Sequence, residues 1–149
     1  MRPEDAGMPN VLYLHSHDTG RWIQPYGHAV TTPHLQLLAE QGVLFRQAFS
    51  GAPTCSPSRA CLLTGQCAHS SGMIGLAHRG FSLNDYSQHI VHMLREAGYR
   101  SALIGVQHVA SDSAAIGYDG VVAVENSRAE YVAPAAVEFL TQGPAEPFF

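Results

Sequence analysis

Two short apolar runs have the composition of strands buried in a sheet. Residues 10–15 and 101–105 are largely apolar with little alternation, which is typical of strands covered on both faces in a parallel sheet. Polar residues follow each run, with His17 and Asp18 after the first and His108 after the second. Because open α/β sheets bind ligands at the carboxyl ends of their strands, these three side chains are candidates for one site.

Apolar periodicity, capping residues and glycine stops predict four helices. Thr32 and Pro33 provide an N-cap and a first-turn proline for the first helix, and Gly42 ends it. The capping-box pattern of residues 127–130 would start a last helix that Pro134 would kink or break. We place the start at Pro134, with a kinked helix from the capping box as the alternative. The predicted helices run from Thr32 to Gly42, from Cys55 onward, from about Leu83 to Ala97 and from about Pro134 to Thr141.

Three further segments complete the predicted order. Residues 43–49 are expected to be extended and residues 121–124 to form a short strand, whereas the Gly-, Ser- and His-rich stretch 65–81 is expected to be an ordered loop over the site. Strands that alternate with helices predict an α/β fold with a mostly parallel sheet flanked by helices. The apolar run 147–149 has only begun, so we expect the fold to be truncated.

The composition is that of a globular chain with a sizeable core. Of the 149 residues, 46% are hydrophobic, which suits one domain. Eight basic and twelve acidic residues give a net charge of −4 without a basic cluster, so nucleic acid is not an expected partner. No apolar run approaches the roughly 18 residues of a membrane span. With a polar first segment, this predicts a cytoplasmic chain with no membrane partner.

The stretch around Cys55 carries the strongest chemical signal. Cys55 precedes a Ser-Pro dipeptide, Arg59 and an apolar run, so it lies where a helix begins and faces the unpaired amides and positive dipole end of that helix. Anionic groups are stabilised at such a position. Cys55, Cys61 and Cys67 cannot all pair, and their spacing matches no common zinc pattern. We therefore interpret all three as thiols, one of them reactive.

The motif C-x-P-S-R-x-x-L-x-T-G over residues 55–65 resembles the signature of the type I sulfatases, the formylglycine-dependent branch of the alkaline-phosphatase-like superfamily. Residues 9–12, 32–35, 44–49 and 104–108 resemble other segments of that family, in the same order and with similar spacing. The heparan N-sulfatases, or N-sulfoglucosamine sulfohydrolases, are the branch that the chain resembles most.

The resemblance implies a domain plan, a fold and an activity. Residues 1–8 are expected to be a flexible leader, and residues 9–149 the N-terminal portion of a sulfatase catalytic domain that is incomplete at its C-terminal end. The implied fold is the α/β, alkaline-phosphatase-like structure of sulfatases. The implied activity is hydrolysis of a sulfuric ester or sulfamate on a sulfated small molecule or sugar. The fragment alone is expected to be inactive.

The resemblance also implies the catalytic residues, which are Cys55, Arg59 and His108. By the same resemblance, a formylglycine-generating enzyme would read Pro57 and Arg59 and convert Cys55 to formylglycine. The hydrated aldehyde of this residue would be the nucleophile and also a metal ligand. Arg59 would hold the hydrated aldehyde, and His108 would contact the nucleophile or the sulfate.

Two positions depart from the family pattern. Asp18 matches one of the two aspartates that bind a divalent cation, usually calcium, but His17 stands where the other is normally found. The resemblance implies a divalent metal, Ca²⁺ by family, with His17, Asp18 and the converted Cys55 as ligands. Calcium prefers oxygen donors, so the imidazole makes a softer metal the alternative. Val106 stands where the family has a lysine, which removes a charge that would stabilise developing negative charge.

Three other interpretations stay open. A cysteine-dependent phosphatase needs a longer spacing between its cysteine and arginine than Cys55 and Arg59 have. A phosphonate or phosphate monoester hydrolase would use the same fold. A non-catalytic module would bind metal through His15, His17 and Asp18, with His108 as a further candidate, although Asp-Thr-Gly is also ordinary turn chemistry. The histidines interpreted as ordinary surface or core residues include His28, His34, His78 and His92.

Overall fold

In the computed structural model of the chain, residues 7–149 are described, and they divide into two units. One unit holds the residues up to Leu12 together with Ser50–Phe149, and the other is Tyr13–Phe49. The predicted flexible leader, residues 1–8, lies almost wholly outside the described residues. No helix in the described part is long and apolar enough to cross a membrane.

The larger unit contains a short parallel sheet. Strand β1 (Ala102–Ile104) pairs in parallel with strand β2 (Gly120–Val122). On the other side of β1, Arg100 forms a parallel bridge to Phe148. The carbonyl oxygen of Phe148 in turn accepts a 2.8 Å hydrogen bond from the amide of Val11. The apolar run that ends the sequence is therefore extended and paired beside β1.

The second predicted strand is confirmed, and the short third one is shifted. Strand β1 lies inside the predicted run 101–105, and its first residue, Ala102, is opposite Gly120 at the start of β2. The strand predicted over residues 121–124 therefore starts one residue earlier and ends at Val122. Both outcomes follow from pairing, because a strand extends only as far as its partner does.

The buried strand predicted over residues 10–15 is not formed. No regular strand is assigned to these residues, and Leu12 and Leu14 are 63% and 77% exposed. The amide of Val11 has a partner in Phe148, but one backbone bond does not make a ladder. The prediction is wrong because an apolar run becomes a buried strand only where other segments pair with it and cover its faces.

Of the five helices in the described residues, two begin where predicted, two have bounds that differ from the prediction, and one, Ala68–Ser71, lies in the stretch predicted to be a loop. In chain order, they are α1 (Pro33–Gln41), α2 (Cys55–Thr64), α3 (Ala68–Ser71), α4 (Ile90–Glu96) and α5 (Ala129–Gln142). Single 3₁₀ turns are formed by Gln24–Tyr26, Ala77–Arg79, Tyr86–Gln88 and Ser113–Ala115. The starts of α1 and α2 agree with the prediction.

Helix α4 (Ile90–Glu96) is shorter than the helix predicted over residues 83–97. The Asp85 carboxylate accepts a 2.9 Å hydrogen bond from the amide of Ser87 and fixes a 3₁₀ turn before the helix. His89 is then extended, and its Nδ1 accepts a 3.3 Å bond from the amide of Val91 at the helix start. Side chains that bond to these amides stop the helix from starting earlier. Burial lowers the pKa of His89 to about 4, which keeps the imidazole neutral and able to accept at neutral pH.

The fifth helix begins at Ala129, not at Pro134 as predicted. Its N-cap is Arg128, whose carbonyl oxygen accepts 3.0 Å hydrogen bonds from the amides of both Tyr131 and Val132. Pro134 lies in the second turn, where it removes one backbone bond, and the helix of 14 residues continues past it. The predicted break is wrong because the bonds on both sides of the proline outweigh the one that is lost.

The smaller unit holds α1 and the 3₁₀ turn Gln24–Tyr26. The Thr32 hydroxyl accepts a hydrogen bond from the amide of Gln24, and the Gln24 side-chain oxygen accepts one from the amide of Thr32, both at 3.1 Å. Leu35 and Leu38 lie on the apolar face of this helix and are 39% and 62% exposed. The helix thus forms as predicted without a cover on its apolar face. Residues 43–49, predicted to be extended, join no strand in the described structure.

The core of the larger unit joins α2, α4 and the segment that follows β1. The stretch 65–81 contributes Met73 and Ala77, which are 0% and 3% exposed. This stretch is therefore ordered, as predicted, because its apolar side chains are part of the core. The core residues are Ala60, Met73, Ala77, Leu83, Val91, Val109, Ala110 and Ile116.

A charged network joins α4 to the segments that lead into β1 and β2. Asp119 Oδ1 accepts a 2.8 Å hydrogen bond from Arg95 Nε, and Asp119 Oδ2 accepts 2.8 Å bonds from both the amide and the hydroxyl of Ser101. Arg95 also donates to the carbonyl of Gly117. Desolvation raises the pKa of Asp119, but the hydrogen bonds from Ser101 and Arg95 outweigh it and hold the pKa below its usual value of 3.8.

We expect Asp119→Asn to lower the free energy of unfolding by about 1.5–3 kcal/mol, the usual contribution of hydrogen bonds to a charged group. The amide cannot accept from all the donors that the carboxylate serves. Urea unfolding followed by circular dichroism measures the loss, and Glu125→Gln, a change at an exposed carboxyl, is the matched control.

The pH dependence of this loss is a second readout. Because the pKa of Asp119 is lower in the folded chain than in the unfolded one, its contribution is complete above about pH 4 and is lost as pH falls through the folded pKa. The stability difference between wild type and Asp119→Asn should therefore shrink in acid. A difference that stayed constant with pH would contradict the role assigned to the carboxylate.

Candidate active site

Helix α2 places Cys55 at its first position, as predicted. Thr54 is the N-cap in an extended conformation, and its side chain forms no capping hydrogen bond with the first-turn amides. Cys55 is half-buried and not in a disulfide, and Ser56 and Pro57 beside it are buried. A side chain at the amino end of this helix of 10 residues lies where negative charge is stabilised.

Arg59 follows Cys55 by one helical turn, on the same side of α2. It is 7% exposed. Its Nη1 donates a 3.2 Å hydrogen bond to the carbonyl oxygen of Val106, whereas its buried Nε has no partner among the described residues. Buried N–H groups are normally paired, and an unpaired donor on a charged group is costly. The site therefore lacks an acceptor at Nε, and an anion would be a strong one.

The chain turns sharply after β1. Gly105 has a φ of 93° and His108 a φ of 59°, both in the left-handed region. Gln107 fixes this turn, because its Oε1 accepts hydrogen bonds of 2.5 and 2.9 Å from the amides of Val109 and Ala110. His108 is half-buried on the turn.

A cavity of about 350 Å³ lies at this end of β1. Its lining includes Ser56, His78, Val106, His108 and Ser111. The volume falls in the range of small-molecule sites, and the carboxyl end of a parallel strand is where such sites occur in α/β folds. The segment that follows the cysteine and the turn that carries the histidine therefore border one space.

His17 and Asp18 belong to the smaller unit. Nδ1 of His17 is 3.3 Å from Oδ2 of Asp18, and the two side chains are 43% and 92% exposed. The Thr19 hydroxyl contacts the hydroxyl of Ser16 and the carbonyl of His17, so the segment is also a regular polar turn. Asp18 has a φ of 50° and is, with His108, one of the two non-glycine residues with positive φ in residues 7–149. Such backbone strain is concentrated at functional sites.

The described residues do not by themselves make a metal centre. Within residues 7–149, no three or more His, Cys, Asp or Glu side chains are grouped so that they could hold one ion. His17 and Asp18 offer one imidazole and one carboxylate, whereas calcium takes about six to eight oxygen ligands. A divalent ion would need further donors.

Sequence comparison decides the family. The model of the Sulfatase family matches residues 9–146. The chain belongs to the sulfatase family. It is 39% identical over 107 residues to N-sulphoglucosamine sulphohydrolase from Homo sapiens, a match that covers 70% of this chain and 21% of that protein.

Bacterial sulfatases match as well. The chain is 27% identical over 133 residues to N-acetylglucosamine-6-O-sulfatase from Bacteroides thetaiotaomicron, which covers 88% of the chain and 23% of that protein. It is 43% identical over 65 residues to an ulvan-active sulfatase from Formosa agariphila, which covers 43% of the chain and 11% of that protein. The chain therefore spans less than a quarter of the length of each of these relatives.

The match confirms two predictions made from the sequence. The resemblance that began with the cysteine motif is a family relationship, and the family is one of hydrolases that cleave sulfate esters or sulfamates. The α/β fold with a parallel sheet flanked by helices agrees with the sulfatase domain, of which the chain is a fragment. The roles of Cys55, Arg59, His108, His17 and Asp18 stay predictions.

Sequence reasoning missed three residues at the cavity. No role was predicted for Gln107, which lies between Val106 and His108 after the strand. Its amide side chain, just before the strained residue His108, is a turn signal. His78 was interpreted as an ordinary histidine, and Ser111 had no signal in the sequence at all. These residues come to the cavity through tertiary contacts that single-sequence patterns do not reveal.

We expect the chain to bind Ca²⁺ more weakly than about 1 mM, the weak end of protein calcium sites, because His17 and Asp18 provide only part of a coordination shell. His17→Asp should raise the affinity several-fold, since it adds a carboxylate beside Asp18. Isothermal titration calorimetry measures both, with His34→Asp on α1 as the control for added charge. Tight, stoichiometric binding by the wild-type chain would contradict this prediction.

Proposed function

We propose that the protein hydrolyses sulfuric esters or sulfamates with a formylglycine nucleophile made from Cys55. The observation that supports this best is the unpartnered Nε of Arg59, a buried donor one helical turn from Cys55. An anion that docks beside Nε would supply the missing acceptor and offset the cost of the buried charge. The family match supports a sulfate or sulfamate group as that anion.

Two electrostatic features favour sulfuryl transfer at this place. The first turn of α2 contributes amides and the positive end of a helix dipole at Cys55. Arg59 contributes a full charge in a buried environment, where electrostatic interactions are stronger than at an exposed surface. Negative charge moves towards the leaving atom, oxygen in an ester and nitrogen in a sulfamate, as its bond to sulfur breaks. Donors fixed in advance by the fold stabilise that state without reorganising.

The residues of the chain divide this work between them. Once made, formylglycine would supply a hydrated aldehyde with two hydroxyls on one carbon. One hydroxyl would attack sulfur and displace the alcohol or amine of the substrate. Loss of the proton from the other would then re-form the aldehyde carbonyl and break the carbon–oxygen bond to the sulfate. Arg59 would orient the hydrated aldehyde and the sulfuryl oxygens through its free Nε. His108, on the strained turn at the cavity, would contact the nucleophile or the sulfate, and its imidazole would hold or transfer a proton there.

Val106 leaves the proposed site with less positive charge than the family pattern has. Its side chain cannot donate, and its carbonyl oxygen accepts from Arg59 Nη1. This hydrogen bond fixes the guanidinium. Because no lysine stands at position 106, Arg59 would carry a larger share of the charge stabilisation. A site of this kind depends more on the position of one arginine than a site with a second cation does.

We also propose that the chain contributes part of a divalent metal site. Asp18, His17 and the converted Cys55 would be its ligands, together with donors outside these residues. The exposed carboxylate of Asp18 supports calcium, whereas the imidazole of His17 supports a softer ion.

The proposed substrates are sulfated sugars or other sulfated small molecules. Relatives named for N-sulphoglucosamine and for N-acetylglucosamine 6-O-sulfate support a sulfated amino sugar. The proposed partner is a formylglycine-generating enzyme, which would act on Cys55.

We expect the peptide that contains Cys55, isolated from the native host, to be about 18 Da lighter than its cysteine form, because the thiol-bearing carbon becomes an aldehyde carbon, with oxygen in place of sulfur and two fewer hydrogens. Mass spectrometry of a digest measures this change. Cys61 and Cys67 in the same chain are internal controls and should keep their thiols. Unmodified thiol at Cys55 in every peptide would contradict the proposed nucleophile.

We expect the 149 residues alone not to turn over a chromogenic aryl sulfate, because the metal shell is incomplete within residues 7–149. The assay uses the purified chain with its modified fraction known from the mass measurement and with Ca²⁺, Mn²⁺ or Zn²⁺ added. Robust, metal-dependent hydrolysis in proportion to the modified fraction would contradict this expectation.

A further inference from the structure

The cavity at the carboxyl end of β1 is lined by a histidine that the proposed chemistry does not use. His78 lies in the 3₁₀ turn Ala77–Arg79, is exposed, and borders the same cavity as His108. An imidazole offers a hydrogen-bond donor and an acceptor to a ligand. The residue therefore has the chemistry and the place to contact a bound molecule.

Two serine hydroxyls hold this turn against its neighbours. Ser56 Oγ accepts a 3.1 Å hydrogen bond from the amide of Ala77, and Ser111 Oγ donates a 2.9 Å bond to the carbonyl of Ala77. Ser56 belongs to α2 and Ser111 to the loop after β1, and both also line the cavity. The backbone beside His78 is thus fixed to the two segments that carry the proposed catalytic residues.

We infer that His78 binds the sugar part of a sulfated monosaccharide and determines substrate specificity, an inference that rests on the proposed function. The cavity of about 350 Å³ has room for a sugar ring, and its lining includes Ser56, which follows Cys55, and Val106, whose carbonyl oxygen accepts from Arg59. Arg59 and His108 are assigned to the sulfuryl group, so His78, on a separate segment, is left to contact the ring hydroxyls. Leu103 and Val121 add an apolar part to the lining.

The experiment compares two ligands on the full chain by NMR. Inorganic sulfate and N-sulfoglucosamine are titrated separately, while the side-chain Nε–H signal of Arg59 and the imidazole signals of His78 are followed. His78→Ala is the test variant, and His78→Gln keeps a hydrogen-bonding group. His69→Ala, at an exposed histidine of α3 outside the cavity lining, is the matched control. Amide spectra establish that each variant is folded.

We expect both ligands to shift the Arg59 signal and the sulfated sugar alone to shift the His78 signals. His78→Ala should weaken binding of the sulfated sugar about five- to tenfold, as expected for the loss of one or two hydrogen bonds, and leave sulfate binding unchanged. His78→Gln should restore part of the loss, and His69→Ala should bind like wild type.

Two negative results have different meanings. If both ligands shift the Arg59 signal but His78→Ala binds the sulfated sugar as tightly as wild type, the specificity role is overturned and the proposed function stands. If neither ligand shifts the Arg59 signal, the anion site fails, and the proposed function and the specificity role are overturned together.

Discussion

A buried positive charge is the constraint on which the larger unit depends. Arginine keeps its proton inside proteins, so the cost of burying Arg59 has to be offset by acceptors. The carbonyl of Val106 is one, and the bond to it holds α2 against the turn that follows β1. Gln107 fixes that turn through backbone amides, and Asp119 fixes the segment before the same strand through Ser101. Both ends of β1 are therefore set by polar contacts.

Local signals in the sequence were sufficient where a helix start depends on a few neighbouring residues. Thr32 and Pro33 mark the start of α1, and the Cys-Ser-Pro-Ser-Arg segment marks that of α2. The expectation that a proline breaks a helix was wrong at Pro134. It counts the one backbone hydrogen bond that proline removes and ignores the remaining hydrogen bonds of the helix. The strand predicted over residues 10–15 was also wrong, because burial is a property of the whole fold and not of the apolar run itself.

The candidate site divides in the same way. The sequence pattern pointed to Cys55 and Arg59 through a continuous motif, and to His108 through its place after a strand. It could not show that the guanidinium of Arg59 reaches Val106, which follows in the sequence by 47 residues. The role of Gln107 in shaping the turn likewise depends on bonds that form only in the folded chain. Sequence spacing identifies the reactive side chains, whereas the hydrogen bonds that hold them in position form only in the folded chain.

The serine bonds to Ala77 have a consequence for how such an enzyme can diverge. They use only the backbone of the turn, so the fold does not depend on which side chain stands at position 78. If His78 contacts the substrate as proposed, variation at that position would change the preference for one sulfated compound over another while the wall of the cavity stayed in place. Ser56 and Ser111 would not have that freedom, because their hydroxyls hold the turn. Substrate choice could then be changed at one position without disturbing the residues proposed for sulfuryl transfer.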